Sequence, residues 1–267
     1  MDALDDPRAS ANLLIFEIGN SHVCVASSVA TSVRTHERFA PDNIEKVVSH
    51  ARQVWDALPE NRLKEIVAAG VVPRVMRSLR AKLAEAFEDS LHVVGEDLLL
   101  PIPMAVEAPE LVGVDRVCAA AAAYEGVRQA CAVASFGTAI TIDCVNGEGV
   151  FMGGAILPGL AMQAQALAEG TAALPQVEIE PTGEVYGANT RQAISNGVLY
   201  GVVGALREIT ERYATQLGAW PLLIATGGNA ELVSKECDFI DRVVPDLCVR
   251  GIALAYRRHF SGWQDQP

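Results

Sequence analysis

Positive charge is scarce in this chain: 21 Lys and Arg stand against 33 Asp and Glu, a net charge of −12. A protein of that sign repels polyphosphate, so general nucleic-acid binding is not expected, although a local anion site stays open. Long apolar runs are also missing. Even the Ala-rich stretch 117–134 is interrupted by Glu125 and Arg128, and a membrane span needs about 18 or more consecutive apolar residues. The five histidines (His22, His36, His50, His92, His259) form no H-E-x-x-H and no cluster with cysteine, which leaves a zinc site without support. The six cysteines (Cys24, Cys118, Cys131, Cys144, Cys237, Cys248) include no C-x-x-C pair. They read as reduced, buried thiols of a cytoplasmic protein. No Gly-Lys dipeptide occurs, so there is no P-loop, and Gly147-Glu148-Gly149 fails as a dinucleotide fingerprint because Met152 stands where the third glycine belongs.

What is present is ample core material, half of 267 residues being hydrophobic, enough for one large or two modest domains. Residues 1–12 are acidic and polar, the opposite of a signal peptide, and read as a flexible lead-in. Leu13–Glu17, the turn Ile18-Gly19-Asn20-Ser21 and Val23–Val29 then spell strand, turn, strand. Apolar residues at helical spacing over 42–58, behind Asp42 as a cap, predict an amphipathic helix. A buried strand over 65–72, a helix over 75–87 and a short strand over 91–94 follow. Pro101, Pro103 and Pro109 mark irregular chain before a helix beginning near Gly113 or Val114.

The second half restarts this grammar. Ala130–Ser135 is a strand, Phe136-Gly137-Thr138 a turn, and Ala139–Val145 a strand. Residue by residue, Ile15-Phe16-Glu17-Ile18-Gly19-Asn20-Ser21 parallels Val133-Ala134-Ser135-Phe136-Gly137-Thr138-Ala139, which suggests an internal duplication with one domain per copy. A further arm over 149–159, helices over 160–172 and 190–216, a strand over 222–226 and a last helix around 252–258 complete the pattern. Each glycine turn offers backbone N–H groups that can cradle phosphate oxygens, and each alone is equally an ordinary hairpin turn. A strand that ends in Thr226-Gly227-Gly228 would let a flat nucleotide approach the backbone. Asp115 and Arg116 enter a helix that otherwise reads as alanine. An Asp in a first helical turn suits the macrodipole; the functional alternative is a base for an attacking hydroxyl, with Arg116 steadying an anion. The helix from Val117 to Tyr124 reads equally as a core helix and as a dimer face.

These residues together resemble the type III pantothenate kinase family, of the acetate kinase, sugar kinase, Hsp70 and actin superfamily. Ile18-Gly19-Asn20-Ser21 is similar to its first phosphate motif, Asp-x-Gly-Asn-Thr. Gly113-Val114-Asp115-Arg116 matches Gly-x-Asp-Arg, and Ser135-Phe136-Gly137-Thr138-Ala139 resembles Asp-x-Gly-Thr-Ala. Gly153 to Gly159, Gly187-Ala188-Asn189-Thr190 and Thr226-Gly227-Gly228 follow in the family's order.

The resemblance implies an α/β fold of two duplicated ribonuclease H-like (actin-like ATPase) domains with mixed sheets flanked by helices, over 13–116 and 117–267, with ATP held between them. It implies ATP-dependent phosphorylation of pantothenate to 4'-phosphopantothenate, the first step toward coenzyme A, with Asp115 as general base. Gly113, Val114, Asp115, Arg116 and Thr190 would touch pantothenate. Glu17, Ile18, Gly19, Asn20, Ser21, His22, Val23, Cys24, Gly137, Thr138, Gly227 and Gly228 would hold ATP. Magnesium, a monovalent cation (potassium or ammonium) and a homodimer also belong to the family; a nucleic-acid or membrane partner does not.

Three positions depart from the family's pattern. Glu17 replaces the Asp that orients the magnesium shell and is one methylene longer, and a misplacement of about 1 Å can cost on the order of a hundredfold in rate. Ser135 replaces the Asp at the monovalent-cation position and offers a hard cation a weaker field. Met104-Ala105-Val106 carries no aromatic where the family often has Tyr. Beside the active kinase, two alternatives therefore stand: a catalytically impaired ligand-binding or accessory protein, and a kinase for another small hydroxyl compound.

Overall fold

A computed structural model describes residues 6–87 and 91–263. The chain divides into two compact units, Met1–Gly126 with Asp246–Pro267, and Val127–Pro245. The division falls after Gly126, whereas the sequence pattern placed it after Arg116, and the C-terminal segment returns to the first unit instead of staying with the second. Among the described residues no helix is long and apolar enough to cross a membrane.

In the first unit the strands are β1 (Asn12–Ile18), β2 (Val23–Val29), β3 (Ser32–Phe39), β4 (Lys64–Gly70) and β5 (Leu91–Val93). They form one sheet in the order β3-β2-β1-β4-β5. β1 is antiparallel to β2 and parallel to β4, and the hairpin expected at its end is present. Nearly every residue of β1 is buried, as a central strand covered on both faces requires. Leu14, Phe16 and Ile18 pack against helices α1 (Ile44–Asp56) and α2 (Pro73–Ala86) through Val47, Ala51, Val54, Val75, Leu79 and Leu83. Leu13 and Ile15 point the other way, where Cys118 of α3 (Val114–Val127) joins Val249, Ile252 and Tyr256 of the C-terminal helix in one apolar cluster. That period of two along β1 assigns Glu17, next after Leu13 and Ile15, to the α3 side of the sheet.

The second unit repeats the plan. Its strands β6 (Cys131–Phe136), β7 (Ala139–Val145), β8 (Phe151–Pro158), β9 (Leu222–Thr226) and β10 (Arg242–Val243) are ordered β10-β9-β6-β7-β8. β6 is antiparallel to β7 and parallel to β9, so β6 occupies the place of β1, and Ser135 the place of Glu17. Ala132, Ala134 and Phe136 pack against α4 (Leu160–Gly170) and α5 (Thr190–Leu217) through Leu160, Ala164, Val198, Val202 and Leu206. A short helix α6 (Ala230–Ser234) follows β9, and α7 (Leu247–Phe260) closes the chain. The duplication read from one heptapeptide thus extends to both sheets.

Several local expectations change. Met1–Asp5 of the expected lead-in lies outside the described residues, but Pro7–Ser10 is a 3-10 turn capped by Asp6, whose carboxylate accepts from the Arg8 N–H at 2.9 Å. Asn12 already belongs to β1 and is buried. Asp42 does not cap α1: the capping position is Asn43, without a side-chain bond, and Asp42 pairs with Arg74 at 3.0 Å instead. The start of α3 is a core helix, with Val117–Ala121 and Ala123 buried.

Small residues in α3 let α7 lie directly on its backbone. A Cβ on Gly251 would collide with the Cys118 carbonyl. Gly251→Val should therefore lower the unfolding free energy in urea by about 1–3 kcal/mol, the usual range for overpacking. An unchanged midpoint and slope would mean that α3 and α7 are not in backbone contact.

Candidate functional site

The end of β1 in the first unit is built by close backbone approach. The Gly19 N–H donates to the His22 carbonyl at 2.9 Å, closing the turn between β1 and β2. The Val71 N–H donates to the Ile18 carbonyl at 3.1 Å, and a Cβ on Gly70 would come within 2.6 Å of the Ile18 side chain. β1 and β4 therefore end together, leaving Asn20 and Ser21 exposed at the tip.

Glu17, just before the turn, pairs with Cys24 of β2 and Ala69 of β4. Its carboxyl lies in the layer that holds Cys118 and α7 and accepts from the Cys248 thiol. Burial raises its pKa above the ordinary glutamate value; the nearby Arg38 opposes this and Asp115 adds to it. Burial and then the charge of Glu17 push the Cys24 thiol up to about 12, so Cys24 stays protonated and unreactive. His22 in the turn is held below the usual imidazole value, by burial first and Arg38 second.

Asp115 sits in the first turn of α3, folded back on the helix start. Its Oδ1 accepts from the Arg116 N–H at 2.9 Å and would be 2.6 Å from a Cβ on Gly113, so only glycine leaves room for that placement. Burial raises the pKa of Asp115 despite the backbone N–H groups and the Arg116 charge that favour ionisation. The structure thus brings Glu17, the Gly19–Cys24 turn and Asp115 into one electrostatic neighbourhood of the first unit. Arg38, Asp246 and Cys248 belong to it as well. Sequence pattern did not single them out: Arg38 lies on a mostly polar edge strand, and α7 reaches this sheet only through the tertiary fold.

In the second unit a comparable set converges. The Gly137 N–H donates to the Ala139 carbonyl at 3.0 Å and the Gly159 N–H to the Thr138 carbonyl at 3.1 Å. A Cβ on Gly159 would meet the Gly137 and Thr138 carbonyls. Gly227, at φ +92°, would place a Cβ 2.6 Å from the Phe136 carbonyl, and the same carbonyl accepts from the Asn229 N–H at 3.1 Å. The Thr138 turn and the Gly227-Gly228 loop are therefore packed backbone to backbone, with Gly228 and Thr138 exposed. Ser135 pairs with Thr141 and Thr226, a row of three hydroxyls on one sheet face. The Thr226 hydroxyl donates to the Pro245 carbonyl at 3.2 Å, while the buried Thr141 Oγ1 has no hydrogen-bond partner. Thr190 is exposed at the start of α5, whose cap is Asn189, Oδ1 accepting from the Gln192 N–H at 3.0 Å.

Residues 13–212 match the family described as Type III pantothenate kinase. Among curated relatives, the type III pantothenate kinase of Dehalococcoides mccartyi is 33% identical over 96% of this chain and 96% of its own. That of Moorella thermoacetica is 30% identical over 92% of this chain and 99% of its own. Among solved structures, a Baf family protein from Campylobacter jejuni covers 89% of this chain and 94% of its own, at 20% identity and TM-score 0.57. A glucokinase from an Antarctic psychrotroph covers 93% and 99%, at 13% identity and TM-score 0.50. These last two likenesses are of fold.

An Asp whose folded pKa is raised binds its proton more tightly in the native state, so its contribution to stability is full below the unfolded pKa and lost as pH rises through the folded one. At neutral pH the ionised Asp115 therefore burdens the metal-free protein. Asp115→Asn should melt at a higher temperature than the parent at pH 7, and the difference should shrink as pH falls through the acidic range. A variant less stable at pH 7 would show that the N–H bonds outweigh burial.

Proposed function

We propose that this chain, which belongs to the type III pantothenate kinase family, carries out that reaction with Asp115 as the base. Its activity is ATP-dependent phosphorylation of pantothenate, in coenzyme A biosynthesis. The primary hydroxyl of pantothenate attacks the γ-phosphorus of ATP, the bond from that phosphorus to the bridging oxygen breaks, and ADP leaves. Asp115 takes the hydroxyl proton as the new P–O bond forms. The single observation that carries this assignment is the folded-back carboxylate of Asp115: burial raises its proton affinity toward what a base needs, and Gly113 gives it space.

Around it, Gly113, Val114 and Arg116 would line the pantothenate, with Arg116 against its carboxylate and Thr190 as a further contact. The turn from Ile18 to Cys24, with Gly137 and Thr138, would direct N–H groups and a hydroxyl at the ATP phosphates, while Gly227 and Gly228 would face the nucleotide. An oxygen donor at Glu17 fits a hard divalent ion, and its side chain is fixed from one side by the Cys248 thiol. Magnesium there would neutralise charge on the phosphates. At Ser135 the monovalent cation of the family would meet a row of three neutral hydroxyls in place of a carboxylate, a weaker field for a hard ion. No step depends on that ion.

We read the chain as a cytoplasmic homodimer. Its six cysteines are free thiols, and Met152 and Ile156 on β8 and Met162 on α4 expose apolar surface of the kind a partner covers. The longer Glu17, with its raised pKa, favours one second reading, a nucleotide-binding relative that turns over slowly.

A coupled assay with purified protein, magnesium, ATP and pantothenate separates the two. Turnover is expected, and Asp115→Asn should lose about 10²–10⁴-fold in kcat while Mg·ATP still binds. Full activity in that variant would remove Asp115 from the chemistry. Replacing potassium by sodium in the same assay should leave the rate unchanged; a rate that collapses would restore a cation site near Ser135.

A further inference from the structure

The first phosphate turn has no cation of its own. No Lys or Arg occurs from Ile18 to Cys24, and His22 is held toward its neutral form. Three carboxyl groups, Glu17, Asp115 and Asp246, stand nearby in the same unit. A polyphosphate brought here would meet mainly negative charge unless a basic side chain reached the turn from elsewhere.

Strand register supplies one. Glu17 pairs with Cys24, and Cys24 pairs with Arg38, so these three side chains form a row on one face of the sheet. Between Val25 and Ala26 the β2–β3 register shifts: Glu37 faces Val25 and Thr35 faces Ala26, leaving His36 as the extra residue. This bulge puts Thr35 and Arg38, three residues apart, on the same face, where unbroken alternation would put them on opposite ones. Thr35 Oγ1 donates to Asp246 Oδ1 at 2.8 Å, and Arg38 Nη2 lies 3.6 Å from that same oxygen. Asp246 is thus already fixed by Thr35. Among the described residues it is the ion-pair partner of Arg38, at a separation too long for a hydrogen bond. The Arg38 side chain is 47% exposed, yet its charge is felt at Glu17, His22 and Cys24. It is oriented without being consumed.

We propose that Arg38 is the cation of the first phosphate turn, its guanidinium donating to the phosphate oxygens of a nucleoside triphosphate seated on Gly19–His22, with Asp246 and the β3 bulge aiming it. This rests on reading that turn as a phosphate site. A guanidinium suits the task because its planar fork donates to two oxygens at once and never loses its charge. The alternative, that Arg38 merely balances Asp246 and Glu17, predicts no selectivity for phosphate.

Calorimetric titration of the full chain with the magnesium complex of a β,γ-imido ATP analogue and, separately, with adenosine distinguishes them. Arg38→Gln should weaken the triphosphate analogue roughly ten- to a hundredfold, the loss typical of a hydrogen bond to a charged group, and leave adenosine unchanged. Arg38→Lys should recover part of the loss, and the surface variant Arg74→Gln none of it should affect. If Arg38→Gln does not fold, Arg38→Lys carries the test through the same ratio of analogue to adenosine affinity. Equal affinity of parent and variant for the analogue, or proportional loss of both ligands, overturns the proposal for Arg38 alone. A parent protein that binds adenosine but gains nothing from the triphosphate overturns the phosphate turn itself, and Arg38 with it.

Discussion

Two carboxyl groups, Glu17 and Asp115, stand close enough for each to feel the other's charge where the first sheet meets α3, and the candidate site is arranged around that constraint. Glu17 continues the row Leu13, Ile15 and so must point to the α3 side of the sheet. Asp115 is folded back on the start of α3, in the space Gly113 leaves. Burying a carboxylate is costly, and the surroundings offset it only in part: a thiol from Cys248, the charge of Arg38, two backbone N–H groups at Asp115. The result is a pair of acids with raised proton affinity next to a turn whose tip, Asn20 and Ser21, is exposed. Such an arrangement reduces native stability and suits proton transfer from an alcohol.

The two units are variations on one plan. Each is a ribonuclease H-like sheet whose first strand is central, antiparallel to the second and parallel to the fourth. Each ends its first strand in a glycine turn. The copies differ in what stands one residue before the apolar position that opens the turn: an acid, Glu17, in one, and a hydroxyl, Ser135, in the other. In the first unit the matching row ends in Arg38; in the second it ends in Ile156. One copy therefore carries charge of both signs beside its turn, and the other only neutral groups in its row.

Much of this was legible in the sequence because it is local. A strand, a glycine turn and a second strand announce themselves in a dozen residues, as does an Asp-Arg pair opening an alanine helix. What was not legible depends on distant chain. β3, Ser32–Phe39, escaped because an edge strand with Arg34, Thr35, His36, Glu37 and Arg38 shows little apolar alternation, and its bulge leaves no compositional mark. Asp246 and Cys248 were invisible as site residues because α7 rejoins the first unit after the whole second one has intervened. Asp42 is not the cap because α1 begins one residue later than its pattern suggested, with Asn43 in the capping position.

The account turns on a half-buried base at Asp115 with raised proton affinity, and the pH dependence of kcat/KM for pantothenate reads it directly, because that quantity reports the ionisation of the free enzyme. The account predicts an acid limb centred above the ordinary aspartate range, in keeping with the raised pKa. A kcat/KM that stays flat down to about pH 5, where an unperturbed aspartate would still be largely ionised, would contradict it.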